Sequence, residues 1–307
     1  MTWFYYVVTA GFGLIFGSFF NVCIYRMPLG RKLDKRSECP FCGMMIHWYD
    51  NIPLVSFMAL KGRCRGCGSP ISWRYPIVEL STALLFALIY WWSVSIVPGE
   101  IGVSGGAAFV PELIIGLLMV SVLIISVGAD VSHGIVPNKA TFPGMVLMLA
   151  AVVGLSAYRG EPWRIGTAVA SAAIGAGFLF FAGTLYGMLF MKPGEGEEDD
   201  EPEKTRDANG HGQGEGDDDE EEFLTGIGMG DVKLMILIGL ALGYFNWYLV
   251  VIQLFLGYLA GGVVALVLMI FMGLGRKDKL PFVPFLAAGA IVTLIWGQTI
   301  MDWYLKL

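Results

Sequence analysis

The sequence predicts an all-α polytopic membrane protein of about eight transmembrane helices, with a small cytoplasmic four-cysteine domain after the first. Three observations carry that expectation. Of 307 residues, 56% are hydrophobic and mean hydropathy is +0.65, too apolar for one soluble domain of this length. The basic residues collect on one side of the apolar runs. Four of the five cysteines fall in one polar segment after the first run.

The apolar residues come in long blocks at 2–22, 77–97, 113–128, 142–157, 165–191, 232–245, 247–273 and 282–303, each with few or no charges. A bilayer core needs about 20 apolar residues in a helix. The third, fourth and sixth blocks are short, so seven spans is the nearest alternative count. The first block is no cleavable signal peptide. It lacks a basic leading region and runs into Asn21-Val22-Cys23-Ile24-Tyr25-Arg26 without a small-residue cleavage site.

Lys and Arg near span ends mark the cytoplasmic side. With the N-terminus outside and eight passes, 17 of the 20 basic residues lie inside; only Arg159, Arg164 and Lys306 lie outside. Both termini then fall outside. The formal charge of −6 belongs to one loop, since 192–222 holds 15 of the 26 acidic residues. Rich in Glu, Asp and Gly, this loop reads as a disordered solvated spacer, with an electrostatic collector for basic peptides as the sharper alternative.

The segment 26–76 contains Cys39-Pro40-Phe41-Cys42-Gly43 and Cys64-Arg65-Gly66-Cys67-Gly68. Two C-x2-C turns, each followed by glycine, aim four thiolates at one tetrahedral Zn²⁺. Two disulfides are the rival, disfavoured in a reducing cytoplasm. Cys39, Cys42, Cys64 and Cys67 fill the tetrahedron, so such a zinc is structural. Cys23 reads as a packed apolar residue.

Acids at the edges of apolar blocks are costly and usually functional. Glu112 and Asp302 read as solvated outer span ends, while Glu79, opening the second span, fits a structural or a functional role equally. Asp130 ends the third block before a turn restarted by Pro137. Asp231 follows Gly226, Gly228 and Gly230 at alternate positions, a backbone open to unusual dihedrals and close approach. Both aspartates fall at the inner membrane edge. Two close carboxylates share a proton, so one activates a water while the other polarises a peptide carbonyl. Proton- or cation-coupled transport also uses such acids, and the residues alone leave the two open. His133 reads as a turn residue, and Lys233 as an anchor of the span end or a modulator of Asp231.

Six ordered motifs resemble the type IV prepilin peptidases, membrane aspartyl enzymes of the GxGD class. They are the run from Gly17 to Pro28, the cysteine loop with Asn51-Ile52-Pro53 and Arg74-Tyr75-Pro76-Ile77-Val78-Glu79. Asp130 with Pro137, Gly228-Met229-Gly230-Asp231-Val232-Lys233-Leu234 and Pro281-Phe282-Val283-Pro284-Phe285 complete the set. The resemblance implies Asp130 and Asp231 as catalytic pair, supported by Gly228, Gly230, Lys233, Pro137 and Glu79. It implies prepilin or pseudopilin substrates, cleavage of a basic leader on the cytoplasmic side, a bacterial inner-membrane location and no nucleic-acid partner. The full cysteine loop points to the bifunctional type, which N-methylates the new terminus with S-adenosylmethionine. No G-x-G-x-x-G fingerprint appears, and Asn21, Arg26, Glu79 and the cysteine domain are methyl-donor candidates by location only. The expected division is 1–25 as first span, 26–76 as cysteine domain and 77–307 as peptidase core. The acidic stretch 195–222 departs from the family pattern.

Overall fold

The computed structural model describes residues 2–34, 36–95, 110–190, 228–272 and 281–306. The acidic loop 192–222, Gly226 and Arg276, Lys277 and Lys279 lie outside the described residues. The apolar blocks become helices α1 (Thr2–Arg26), α3 (Arg74–Ser95), α4 (Val110–His133), α5 (Asn138–Arg159), α6 (Trp163–Phe190), α7 (Met229–Gly243), α8 (Leu249–Met272) and α9 (Val283–Leu305). A one-turn helix α2 (Val55–Ala59) lies in the cysteine segment. The described residues contain no strand longer than an isolated bridge.

Seven of these helices are long and apolar enough to cross a membrane. The exception is α7, with 15 residues. Its contacts explain its length. Near its start, Lys233 Nζ donates to Asn138 Oδ1 at the head of α5; just past its end, the Tyr244 carbonyl accepts from Arg164 at the head of α6. At 1.5 Å per residue it runs roughly 22 Å, from one end of the bundle to the other. Leu234, Met235 and every residue from 237 to 243 are buried. This helix crosses inside protein and needs no lipid-matched length. It lies close on α6, where a Cβ at Gly239 would sit 2.5 Å from Ala172 Cα.

The chain's two ends share a face of the bundle. Tyr6 of α1 meets Tyr90 near the end of α3 (centroids 4.9 Å), and Trp92 meets Phe245 (5.3 Å). Asn246 in turn donates to Gln298 late in α9 at 3.2 Å. On this face Glu112 is wholly buried and paired with Arg159 at 2.5 Å, while Arg164 pairs with Glu161. The expectation of a solvated Glu112 is therefore corrected. A carboxylate taken out of water keeps its charge only beside a fixed cation, and α5 delivers one. Asp302 is exposed, and Cys23 is buried against the core, both as expected.

Candidate active site

The opposite face carries the acids of interest. Asp130 occupies the last turn of α4, half-buried, and Gly134 (φ 69) turns the chain immediately after it, its N–H donating to the Asp130 carbonyl at 2.7 Å. Pro137 then caps α5 with φ −73, a value its ring imposes, and its carbonyl accepts the amides of Ala140 and Thr141. Asp231 lies in the first turn of α7, itself half-buried. The two carboxylates lie close enough for the charge of Asp130 to act on Asp231.

A third element completes the meeting. Asp130 Oδ2 accepts the Val283 backbone N–H at 3.3 Å. Val283 is the first residue of α9, where unpaired amides and the helix dipole favour negative charge. The Pro281–Phe285 segment thus presents a helix N-terminus to one of the two acids.

Gly230 has a steric job. A Cβ there would stand 2.7 Å from Val136 Cβ, so glycine lets the head of α7 press against the turn between Asp130 and Pro137. The dihedral expectation fares differently. Gly228 has φ −58, which any residue adopts, and Gly230 is helical. At Gly230 close approach, not backbone freedom, accounts for the glycine, whereas a Cβ at Gly228 would meet only Asp231 Oδ2, at 4.0 Å. Lys233 bonds Asn138 Oδ1 at 3.2 Å and lies over the Phe142 ring at 5.3 Å. It anchors α7 to α5. His133 is exposed.

Sequence reasoning missed Tyr258. Its hydroxyl is buried without a hydrogen-bond partner among the described residues and lies within electrostatic range of Asp231, and its ring packs on Phe282 at 5.2 Å. A tyrosine in the middle of the apolar block 247–273 is the available signal, since a phenol in a span needs something to meet.

The four-cysteine segment forms a second centre. Each C-x2-C closes the same way. Gly43 N–H donates to the Cys39 carbonyl and Gly68 N–H to the Cys64 carbonyl, both at 2.9 Å, with φ +68 and +71. The bridges Glu38–Met45 and Arg63–Pro70 make two matching knuckles. The four sulfurs lie within 4.8 Å of one another, and Cys39 Sγ is 3.9 Å from Cys67 Sγ. Tetrahedral Zn²⁺ with bonds of about 2.3 Å sets sulfurs roughly 3.8 Å apart, whereas a disulfide needs about 2.05 Å. All five cysteines are free, so the donor set fits zinc. Amides of Cys42 and Phe41 aimed at Cys39 bring its thiol down to about 6, and the Ser69 hydroxyl and amide lower Cys67.

Glu79 joins this second centre rather than the aspartates. Buried, it accepts the Leu54 N–H at 2.8 Å. Asn21 donates to the carbonyls of Gly17 and Tyr75, and Arg26 to those of Lys32, Leu33 and Arg36. Of the three residues named by location for the methyl donor, Asn21 thus ties α1 to α3, Arg26 ties the start of the cysteine segment to α1, and Glu79 ties that segment to α3.

Comparison with known proteins agrees with this two-centre layout. Residues 12–93 match the bacterial peptidase A24 N-terminal domain, and residues 117–266 match the type IV leader peptidase family. The chain is similar to the prepilin leader peptidase/N-methyltransferase of Bacillus subtilis, at 30% identity over 297 residues covering 96% of each chain. That of Aeromonas hydrophila is 28% identical over 99% of this chain and 95% of its own. For that of Myxococcus xanthus, identity is 42% over 153 residues, 48% of this chain and 41% of the relative. No solved structure matches.

Proposed function

The chain belongs to the type IV leader peptidase family, and from that premise we propose that it cleaves the basic leader from type IV prepilins or pseudopilins and then methylates the exposed terminus. The observation that supports the reading is that Asp130 and Asp231, 101 positions apart in the chain, lie at one end of the bundle within electrostatic range of each other, with the N-terminal amide of α9 on Asp130.

The pair binds one proton, because two adjacent carboxylates resist double ionisation. The Val283 amide favours the charge on Asp130, which takes a proton from a water as that water attacks the scissile carbonyl carbon. Asp231 gives its proton to the carbonyl oxygen. The tetrahedral diol collapses when Asp130 returns its proton to the amide nitrogen, Asp231 takes back a proton from one diol hydroxyl as the C=O re-forms and the C–N bond breaks, leaving a leader carboxyl and a new amine.

In this reading, residues 77–307 are the peptidase core after the first span 1–25, and 26–76 is the methyl-transfer domain. Cys39, Cys42, Cys64 and Cys67 would hold a structural zinc, which would cross-link the two knuckles. S-adenosylmethionine supplies an electrophilic methyl group for the new amine. Gly228, Gly230, Pro137 and Lys233 seat the aspartates, and Glu79 seats the cysteine domain. The protein is a multi-pass membrane protein. Its location is the bacterial inner membrane with both ends periplasmic, because the aspartate face holds the described basic residues except Arg159, Arg164 and Lys306. Transport and assembly-factor readings draw no support from the relatives.

The test is incubation of purified protein with a prepilin, with and without S-adenosylmethionine, followed by mass analysis. A new terminus one methyl heavier only when the donor is present is expected. Cleavage with no added methyl removes the second activity, and an intact prepilin overturns the first.

A further inference from the structure

One edge of the cysteine segment sits lower than a soluble domain should. The Leu54 N–H bonds Glu79, five residues into α3, which begins its candidate span at Arg74. At 1.5 Å per residue that is roughly 7.5 Å along the helix. Leu54 leads directly into α2, so α2 stands at the depth where α3 has already entered apolar surroundings. The residues it turns outward suit that depth. Met58 is 68% exposed, Val55 54%, and Trp73, the residue before α3, 70%. Phe57 stacks obliquely on Trp73 at 5.0 Å, and Lys61 and Arg63 stand exposed on the rim of the groove that these rings line. Leu54 (φ 58) and Lys61 (φ 51), both non-glycine residues with positive φ, bracket α2.

We propose that this edge is seated in the bilayer itself, with Met58 and Trp73 among the upper acyl chains and Lys61 and Arg63 on the phosphates of anionic phospholipids. Two observations select the lipid as occupant. The edge is continuous with a membrane-spanning helix, where aromatic residues favour the interface. The segment 26–76 also carries nine basic residues against three acidic, a balance that attracts an anionic surface and repels a basic leader. The cysteine domain is then fixed on the membrane plane rather than free in the cytoplasm. This inference rests on α3 as a span and on no catalytic assignment.

The full chain, in phosphatidylcholine nanodiscs with or without phosphatidylglycerol, provides the test. Subtracting the emission of Trp73→Phe isolates Trp73 among the other tryptophans, and zinc content checks that the variant is folded. Trp73 emission is expected to be quenched by lipids brominated high on the acyl chain and shielded from aqueous iodide; the reverse pattern overturns the proposal. In the unaltered protein, phosphatidylglycerol should slow amide exchange across 57–63 several-fold, and a Lys61→Ser/Arg63→Ser variant should lose that response. Exchange indifferent to phosphatidylglycerol, or slowed by a leader peptide instead, also overturns it.

Discussion

The cysteine centre and the aspartate site reach their geometry by opposite routes. The cysteine centre is local. Each knuckle closes on itself within five residues, Cys39 to Gly43 and Cys64 to Gly68, with no helix taking part in the bond that closes it. The aspartate site has no local geometry. It exists because α4 and α7 bring together acids 101 positions apart and α9 contributes the Val283 amide. A short-range site is robust to changes in the bundle but depends on its metal. A long-range site needs no metal yet depends on every close approach that sets α7 against the turn after α4. The two centres should therefore fail independently.

The largest expected effect comes from the acids. Asp130→Asn or Asp231→Asn should lower leader cleavage by about 10³-fold or more, the scale of lost acid–base catalysis, while a pre-cleaved pilin is still methylated and zinc content is unchanged. Loss of methylation in the same variants breaks the separation. Next is metal removal. Chelation or Cys64→Ser should release the knuckles, read as fast amide exchange across 36–72, and abolish methyl transfer. Structural zinc contributes roughly 10 kcal/mol or more to small domains. Cleavage should fall no more than a few-fold; a parallel collapse would join the two centres into one.

A smaller effect sharpens the packing half of the comparison. Gly230→Ala places a methyl 2.7 Å from Val136 Cβ, and overpacking of this kind costs about 1–3 kcal/mol. Cleavage should drop roughly tenfold with zinc retained, since 1.4 kcal/mol is a factor of ten in rate. Val136→Gly in the same chain, which removes that Cβ, should restore most of it; no restoration means the approach of α7 to that turn does not set the site. The smallest effect lies in the cysteine segment. Arg65 bonds Asp50 through two nitrogens at 2.8 and 2.7 Å and holds its carboxyl below the usual range. A depressed carboxyl stabilises the fold above its unfolded value of about 3.9 and loses that contribution as pH falls through the folded value. Asp50→Asn should thus accelerate amide exchange near residue 50 slightly at neutral pH, with the difference vanishing in acid.

What the amino-acid sequence determined by itself is whatever depends on near neighbours or on transfer from water. Apolar blocks must become helices because lipid offers the backbone no hydrogen bonds, and all eight did. Basic residues must stay out of the bilayer, and the described ones other than Arg159, Arg164 and Lys306 collect on the face of the aspartates. Two C-x2-C-G turns must converge, and their sulfurs do. The tertiary structure alone decided the rest, because it depends on which distant surfaces touch. The length of α7 looked short for a span and is explained by burial inside the bundle. Glu112 read as solvated, yet Arg159 from another helix allows it to be buried. The chain alone leaves Glu79 open to either role, and the Leu54 amide on its carboxylate makes it structural, while Tyr258 gives no signal but its polarity. The aspartates belong with these. Spacing put both at one membrane edge, but the Val283 amide beside Asp130 and the charge of Asp130 on Asp231 exist only once three helices have packed.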